Sequence, residues 1–298
     1  MNRRTFTQLL AAAATLPIVN EAKAEPAMSA AATPFPLSVM LWTIERNKPF
    51  VDRMEAIAKA GYTNIELVGE YRDWKDEDYA KANEARKRLG LKFDTTAGLK
   101  HSVGDPSMRD AFLAELKEAL TPMERLGCPA MIVMSGNVVP GLSREQQHQS
   151  CIDGLKAAAK VVEGKQIDGQ PVRLLLECID PEENSKYYLT SAAEGIEMVR
   201  AVNHPQVQFL YDMFHEQIAE GNLIEKLDKH IDVIGLIHIA DVPGRHEPGT
   251  GEINYENIYR KLAQLKYKYI AAMEYLPTSE TVQSLRAARE LVAQTAKA

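Results

Sequence analysis

A chain of 298 residues with 45% hydrophobic and 26% charged residues has the composition of a globular protein, long enough for one large α/β domain. Its formal net charge of −6 argues against nucleic acid as a partner, because that binding rests on Lys and Arg neutralising phosphates. Three cysteines, Cys128, Cys151 and Cys178, are odd in number and widely spaced, which predicts buried free thiols rather than disulfides or zinc ligands.

The first segment reads as a leader. Arg3-Arg4 precedes a modest apolar stretch from Phe6 to Val19, and Ala22-Lys23-Ala24 forms a small-x-small cleavage site. The stretch is too short for an integral membrane anchor. The pair within Asn2-Arg3-Arg4-Thr5-Phe6 resembles a twin-arginine signal, with a weakly hydrophobic core and Lys23 before the cut. Residues 1–24 are therefore expected to be a cleavable signal peptide read by the twin-arginine export machinery, and the protein periplasmic. Residues 25–36, rich in Ala and Pro, are expected to form a flexible lead-in, and residues 37–298 the folded domain.

From Leu37 on, strand and helix patterns alternate. Strand-like runs occur at Leu37–Leu41, Asn64–Val68, Leu91–Asp94, Ala130–Met134, Val172–Leu176, Gln208–Tyr211, Val233–Ile239 and Tyr269–Met273. Between them, Asp105-Pro106 predicts a helix start, with Met108, Phe112, Leu116, Leu120 and Met123 on one buried face and Gly127 as its stop. Ser143-x-x-Gln146 and Ser191-x-x-Glu194 read as capping boxes, and Gly61 and Gly90 as helix ends. Alternation implies a parallel sheet, and eight units imply closure into a single-domain (β/α)8 TIM barrel. Charge runs such as Arg86-Lys87-Arg88 read as solvated helix faces.

Glu177, Asp212, His238 and Glu274 each close an apolar run, at gaps of 35, 26 and 36 residues, about one βα unit apiece. Successive barrel strands deliver their last residues to one open face, so these side chains are expected to converge there. Three carboxylates and an imidazole suit one divalent cation, with Mg2+ or Mn2+ ahead of Zn2+ or Co2+. Such an ion keeps positions open for adjacent oxygens of a small sugar-like acid, and polarising the carbonyl acidifies the neighbouring C–H. An enediolate then needs one carboxylate to take the proton and a group nearby to return it. Glu177 and Glu274, from the fifth and eighth strand runs, suit both roles.

Other candidates surround them. His215, three residues past Asp212, is placed to meet a substrate oxygen, and a surface histidine at a helix start is its competing reading. The loop from Asp241 to Glu252 carries five Gly or Pro positions, and Arg245 within it offers a planar fork for a substrate carboxylate. His246 and Glu247 fit a role in fixing that loop. His101 and Trp42 are expected to line the pocket, and Glu66 faces either the barrel mouth or its rim.

At these residues the chain resembles the xylose isomerase-like superfamily of sugar isomerases and epimerases, and within it the hydroxypyruvate isomerase family. The longest matching stretch runs from His238 to Tyr255; Leu176-Glu177, Asp212-Met213-Phe214-His215 and Glu274-Tyr275 are shorter and in the same order. The resemblance implies a divalent metal on Glu177, Asp212, His238 and Glu274, Glu177 and Glu274 as proton donor and acceptor, and His215 and Arg245 as substrate contacts. It implies interconversion of hydroxypyruvate and tartronate semialdehyde through an enediolate. Hydroxypyruvate isomerases commonly carry glutamine where this chain has His238. Ketose 3-epimerases carry histidine there, so a 3-epimerase or isomerase of other small sugars is the runner-up. Endonuclease IV shares the barrel but needs extra histidines for three metals. A periplasmic sugar-acid binding protein is the non-enzyme alternative, and two proton-transfer carboxylates argue against it. The oligomeric state stays open, with a homo-oligomer compatible.

Overall fold

Period-two alternation in the strands sets the architecture, because each strand turns one row of side chains into the barrel and the other toward the helices. The computed structural model describes residues 32–295, so the expected signal peptide 1–24 lies outside the described residues. The first four strands are β1 (Leu37–Met40), β2 (Asn64–Leu67), β3 (Lys92–Thr96) and β4 (Ala130–Met134). A small antiparallel hairpin, β5 (Gln166–Ile167) with β6 (Gln170–Pro171), precedes β7 (Arg173–Glu177). Then follow β8 (Val207–Asp212), β9 (Ile234–Ile239) and β10 (Ile270–Met273). The eight longer strands are parallel and close in the order β1-β10-β9-β8-β7-β4-β3-β2. All eight expected runs are strands, and the protein is a single (β/α)8 barrel.

The outer helices are α1 (Phe50–Lys59), α2 (Asp76–Leu89), α3 (Arg109–Leu126), α4 (Arg144–Val162), α5 (Ala192–Val202), α6 (Met213–Ala219), α7 (Leu223–His230), α8 (Tyr255–Gln264) and α9 (Thr281–Thr295). Ser143 caps α4 as a full box with Gln146. Ser191 caps α5, but Glu194 does not return the bond. Its carboxylate is drawn to Arg144, to His148 and to the Tyr188 hydroxyl instead. Gly90 and Gly127 end α2 and α3 with φ of 67° and 65°, the left-handed region that a Cβ disfavours. Asp105 caps a 3-10 turn, Pro106–Met108, before α3 begins. That extra turn rotates Met108 off the buried face, and it is 46% exposed while Phe112, Leu116 and Met123 are fully covered.

Two apolar shells result. Met40, Ala130, Ile132, Leu175, Leu210, Leu236 and Ala272 fill the barrel interior, and a larger shell packs strands against helices. Each fully buried large side chain contributes about 1.5–3 kcal/mol. The three cysteines are free and buried. At the described end of the lead-in, Phe35 is 2% exposed and packs against Tyr259 and Tyr267. Among the described residues no helix is long and apolar enough to cross a membrane.

Candidate active site

The interior layer locates the site. Leu175, Leu210, Leu236 and Ala272 point into the barrel, so the residues two further on must point the same way. Those are Glu177, Asp212, His238 and Glu274. Glu177 and Asp212 end β7 and β8, His238 is the penultimate residue of β9 in register with Asp212, and Glu274 follows β10. The structure brings all four together: each offers one ligand atom, and those atoms lie within 4.8 Å of one another. His238 Nδ1 sits 3.7 Å from Glu177 Oε1, 3.9 Å from Asp212 Oδ2 and 2.6 Å from Glu274 Oε2.

The residues present fit a divalent cation. Asp212 Oδ2, His238 Nδ1 and Glu274 Oε2 are buried, and although His238 Nδ1 and Arg245 Nη2 lie close to Glu274 Oε2, none of the three atoms makes a hydrogen bond of proper geometry. An unpaired buried polar atom costs about 1–3 kcal/mol, and three aimed at one point form a donor set for a metal. On the far side of the ring, His238 Nε2 lies 2.9 Å from Glu66 Oε2. Glu66 is fully buried inside the barrel, which settles its position; the carboxylate behind the imidazole orients it, an arrangement typical of metal-binding histidines.

The site's charges are unevenly stabilised. Burial pushes the Glu177 carboxyl up to about 8. Burial would raise Glu274 as well, but His238 and Arg245 beside it hold it well below the usual carboxylate range. Burial alone would lower His215; the charge of Asp212 and the bond to Asp180 outweigh it and take His215 to about 9.

Above the four residues lies a polar rim. Trp42 Nε1 donates to Glu274 Oε1 at 2.9 Å. Arg245 Nη2 sits 2.9 Å from Glu274 Oε2, and its Nη1 donates to Glu183 Oε2 at 2.8 Å. The guanidinium carbon lies 5.6 Å and 5.0 Å from the ring centres of Trp42 and Phe214, a cation–π arrangement. Arg245 has φ of 56°, held by its loop. Asp241 staples that loop: its carboxylate accepts the N–H groups of Val242, Gly249, Gly251 and Ile253. A Cβ on Gly251 would meet Val242 O at 2.0 Å, so only glycine passes there. His246 Nδ1 meets Leu276 O and Glu247 binds Thr278, so both fix the loop.

His215 is not a surface residue: it is 1% exposed, with Nδ1 2.6 Å from Asp180 Oδ2 and Nε2 3.5 Å from Asp212 Oδ2. His101 pairs with Glu115 on α3, rather than with the four. Asp180 and Glu183 were missed by sequence reasoning, and Asp241 was read only as the start of its loop. Asp180-Pro181 just past a strand is a turn pattern that could have found the first of them.

The family model of the xylose isomerase-like TIM barrel matches residues 54–293, and the chain belongs to that family. It is 34% identical to the 2-oxo-tetronate isomerase of Haemophilus influenzae over 247 residues, 80% of this chain and 92% of that one. It is 27% identical to the hydroxypyruvate isomerase of Escherichia coli over 242 residues, 80% of this chain and 92% of that one. A crystal structure of an AP endonuclease, family 2, from Brucella melitensis superposes with a TM-score of 0.74 at 25% identity, covering 84% of this chain and 96% of that one. By family and relatives, the protein is an isomerase.

Proposed function

We propose that this isomerase moves the carbonyl of a short 2-oxo-3-hydroxy acid to the adjacent carbon, interconverting hydroxypyruvate and tartronate semialdehyde (2-hydroxy-3-oxopropanoate) through an enediolate. The observation that carries this reading is the pair of buried carboxylates, Glu177 and Glu274, within one cluster of ligand atoms that fits a cation. Their surroundings push their pKa values apart, which suits an acid and a base at one site. One takes a proton from C3 and the other returns one to C2, while the hydroxyl proton passes from O3 to O2, so that the carbonyl ends on C3 and the hydroxyl on C2.

Glu177, Asp212, His238 and Glu274 would hold the divalent ion, which supplies Lewis-acid polarisation of the substrate carbonyl when bound. Arg245 presents its fork to the substrate carboxylate, exchanging its contact with Glu183 for the ligand. His215 Nε2 meets a substrate oxygen. Trp42 and Phe214, both packed near the Arg245 guanidinium, form the aromatic side of the pocket.

The four-carbon homologue is a second reading. It carries CH2OH where hydroxypyruvate has hydrogen, and the higher identity to a 2-oxo-tetronate isomerase favours it. Both acids undergo the same proton transfer, so the discriminating experiment is a substrate screen. Protein stripped with chelator and reloaded with Mg2+, Mn2+, Zn2+ or Co2+ is given hydroxypyruvate, the four-carbon acid and free ketoses, with products followed by NMR. Turnover of hydroxypyruvate ahead of the four-carbon acid, and of no ketose, supports the proposal, and the reverse order of the two acids supports the second reading. Turnover of ketoses alone moves the protein to the 3-epimerases.

A further inference from the structure

Asp180 lies in the loop after β7, 1% exposed, and its two carboxylate oxygens have different partners. Oδ1 accepts the backbone N–H groups of Glu182 at 2.8 Å and Glu183 at 2.9 Å. Oδ2 lies 2.6 Å from His215 Nδ1. An ionised carboxylate accepts only, so Nδ1 must carry the hydrogen in that contact. The Asp180 backbone N–H, 3.4 Å from the same nitrogen, then meets no lone pair and makes no hydrogen bond to the ring. With Nδ1 engaged behind the ring, Nε2 is the atom left facing the site, 3.5 Å from Asp212 Oδ2.

We propose that Asp180 is a positioning residue that fixes His215 with its hydrogen on Nδ1, so that Nε2 is the nitrogen presented to the substrate oxygens. The role toward substrate rests on the isomerase reading above; the orientation of the ring does not. The same carboxylate shapes the turn that carries Glu183 to Arg245, so one buried side chain sets two walls of the pocket. Asp180, Glu183 and His215 also offer three atoms within 4.8 Å, the makings of a second cation site. Their own pairing accounts for them: Asp180 with His215, and Glu183 with Arg245. With Nδ1–H committed to Asp180, Nε2 is the ring nitrogen that meets the substrate oxygens.

The test is Asp180→Asn, which is the same shape with one polarity reversed. Asparagine must keep Oδ1 on the two backbone N–H groups, so its NH2 faces His215 and demands a lone pair on Nδ1. The hydrogen then moves to Nε2, while fold and turn stay intact. In metal-loaded protein with 15N-labelled histidine, the wild type is expected to show a hydrogen on His215 Nδ1, and D180N to lack it. At unchanged metal content and Tm, D180N should lower kcat at least about tenfold with KM within about threefold, in the range of losses seen for outer-shell partners. In a His215→Gln background, D180N should add no further loss, because Asp180 acts through that ring.

A retained Nδ1 hydrogen in D180N overturns the proposal, as do additive losses in the double variant. Release of a second metal equivalent by D180N overturns it in favour of a cation site. If the wild type turns over none of the acids, the hydroxy-oxo acid reading falls, and the NMR comparison still decides the orientation.

Discussion

Glu66 Oε2 lies 2.9 Å from His238 Nε2, joining two residues 172 positions apart in sequence across the barrel interior. This contact leaves Nδ1 as the only ring nitrogen free to face the cluster. Glu66→Gln should therefore weaken divalent-metal affinity by about 10- to 100-fold while leaving kcat at saturating metal close to the parent's. Calorimetric titration of metal into stripped protein checks this, and an unchanged Kd would remove Glu66 from the site.

Trp42→Phe keeps the aromatic wall and removes the N–H that binds Glu274 Oε1. A hydrogen bond to a charged group contributes about 1.5–3 kcal/mol, so kcat/KM should fall by at least about tenfold. Metal content should hold. Steady-state kinetics with wild-type rates would show that Glu274 does not depend on this donor.

Glu216 on α6 is fully buried beside Lys226. Burial pushes it up to about 7 against the pull of the Lys226 ammonium, from an ordinary value of 4.5. A raised folded-state pKa means its contribution to stability is fully present below about 4.5 and lost as pH rises to about 7. Glu216→Gln should flatten that part of the decline, by at most about 3 kcal/mol across the window. Urea unfolding of both proteins at several pH values between those limits measures it. Parallel curves would mean that Glu216 does not titrate in the folded protein as described.

We propose that residues 1–24 direct export by the twin-arginine route to the periplasm. Changing Arg3→Lys together with Arg4→Lys should then leave the precursor in the cytoplasm. Mature protein cut after Ala24 in the periplasm of that double variant would contradict the route.

Much of this was legible in the sequence because it is local. Each strand's apolar run, followed two residues after an inward leucine or alanine by Glu177, Asp212, His238 or Glu274, is a short-range pattern with a fixed period. Glu66 and Asp180 were not legible in the same way. Their functions depend on partners 172 and 35 residues away, and no spacing rule connects a strand-two carboxylate to the back of a strand-nine imidazole. Asp241 was seen only as a loop member, since stapling requires knowing where four amides converge. The hairpin at Asp168-Gly169 was available and overlooked: both residues have positive φ, as that dipeptide between extended segments favours. His101 followed strand order correctly yet paired with Glu115, because a loop can fold back onto its own helix.

The central claim is that Glu177 and Glu274 share the proton transfer between adjacent carbons of a small hydroxy-oxo acid. Its most direct test follows hydroxypyruvate by 1H NMR in deuterated water, with metal-loaded wild type, Glu177→Gln and Glu274→Gln, and metal content measured beside each rate. The expected result is deuterium-labelled tartronate semialdehyde from the wild type, and turnover lower by at least about 10²-fold in each variant that retains its metal. Full conversion by either metal-loaded variant would contradict the account and remove that carboxylate from the chemistry.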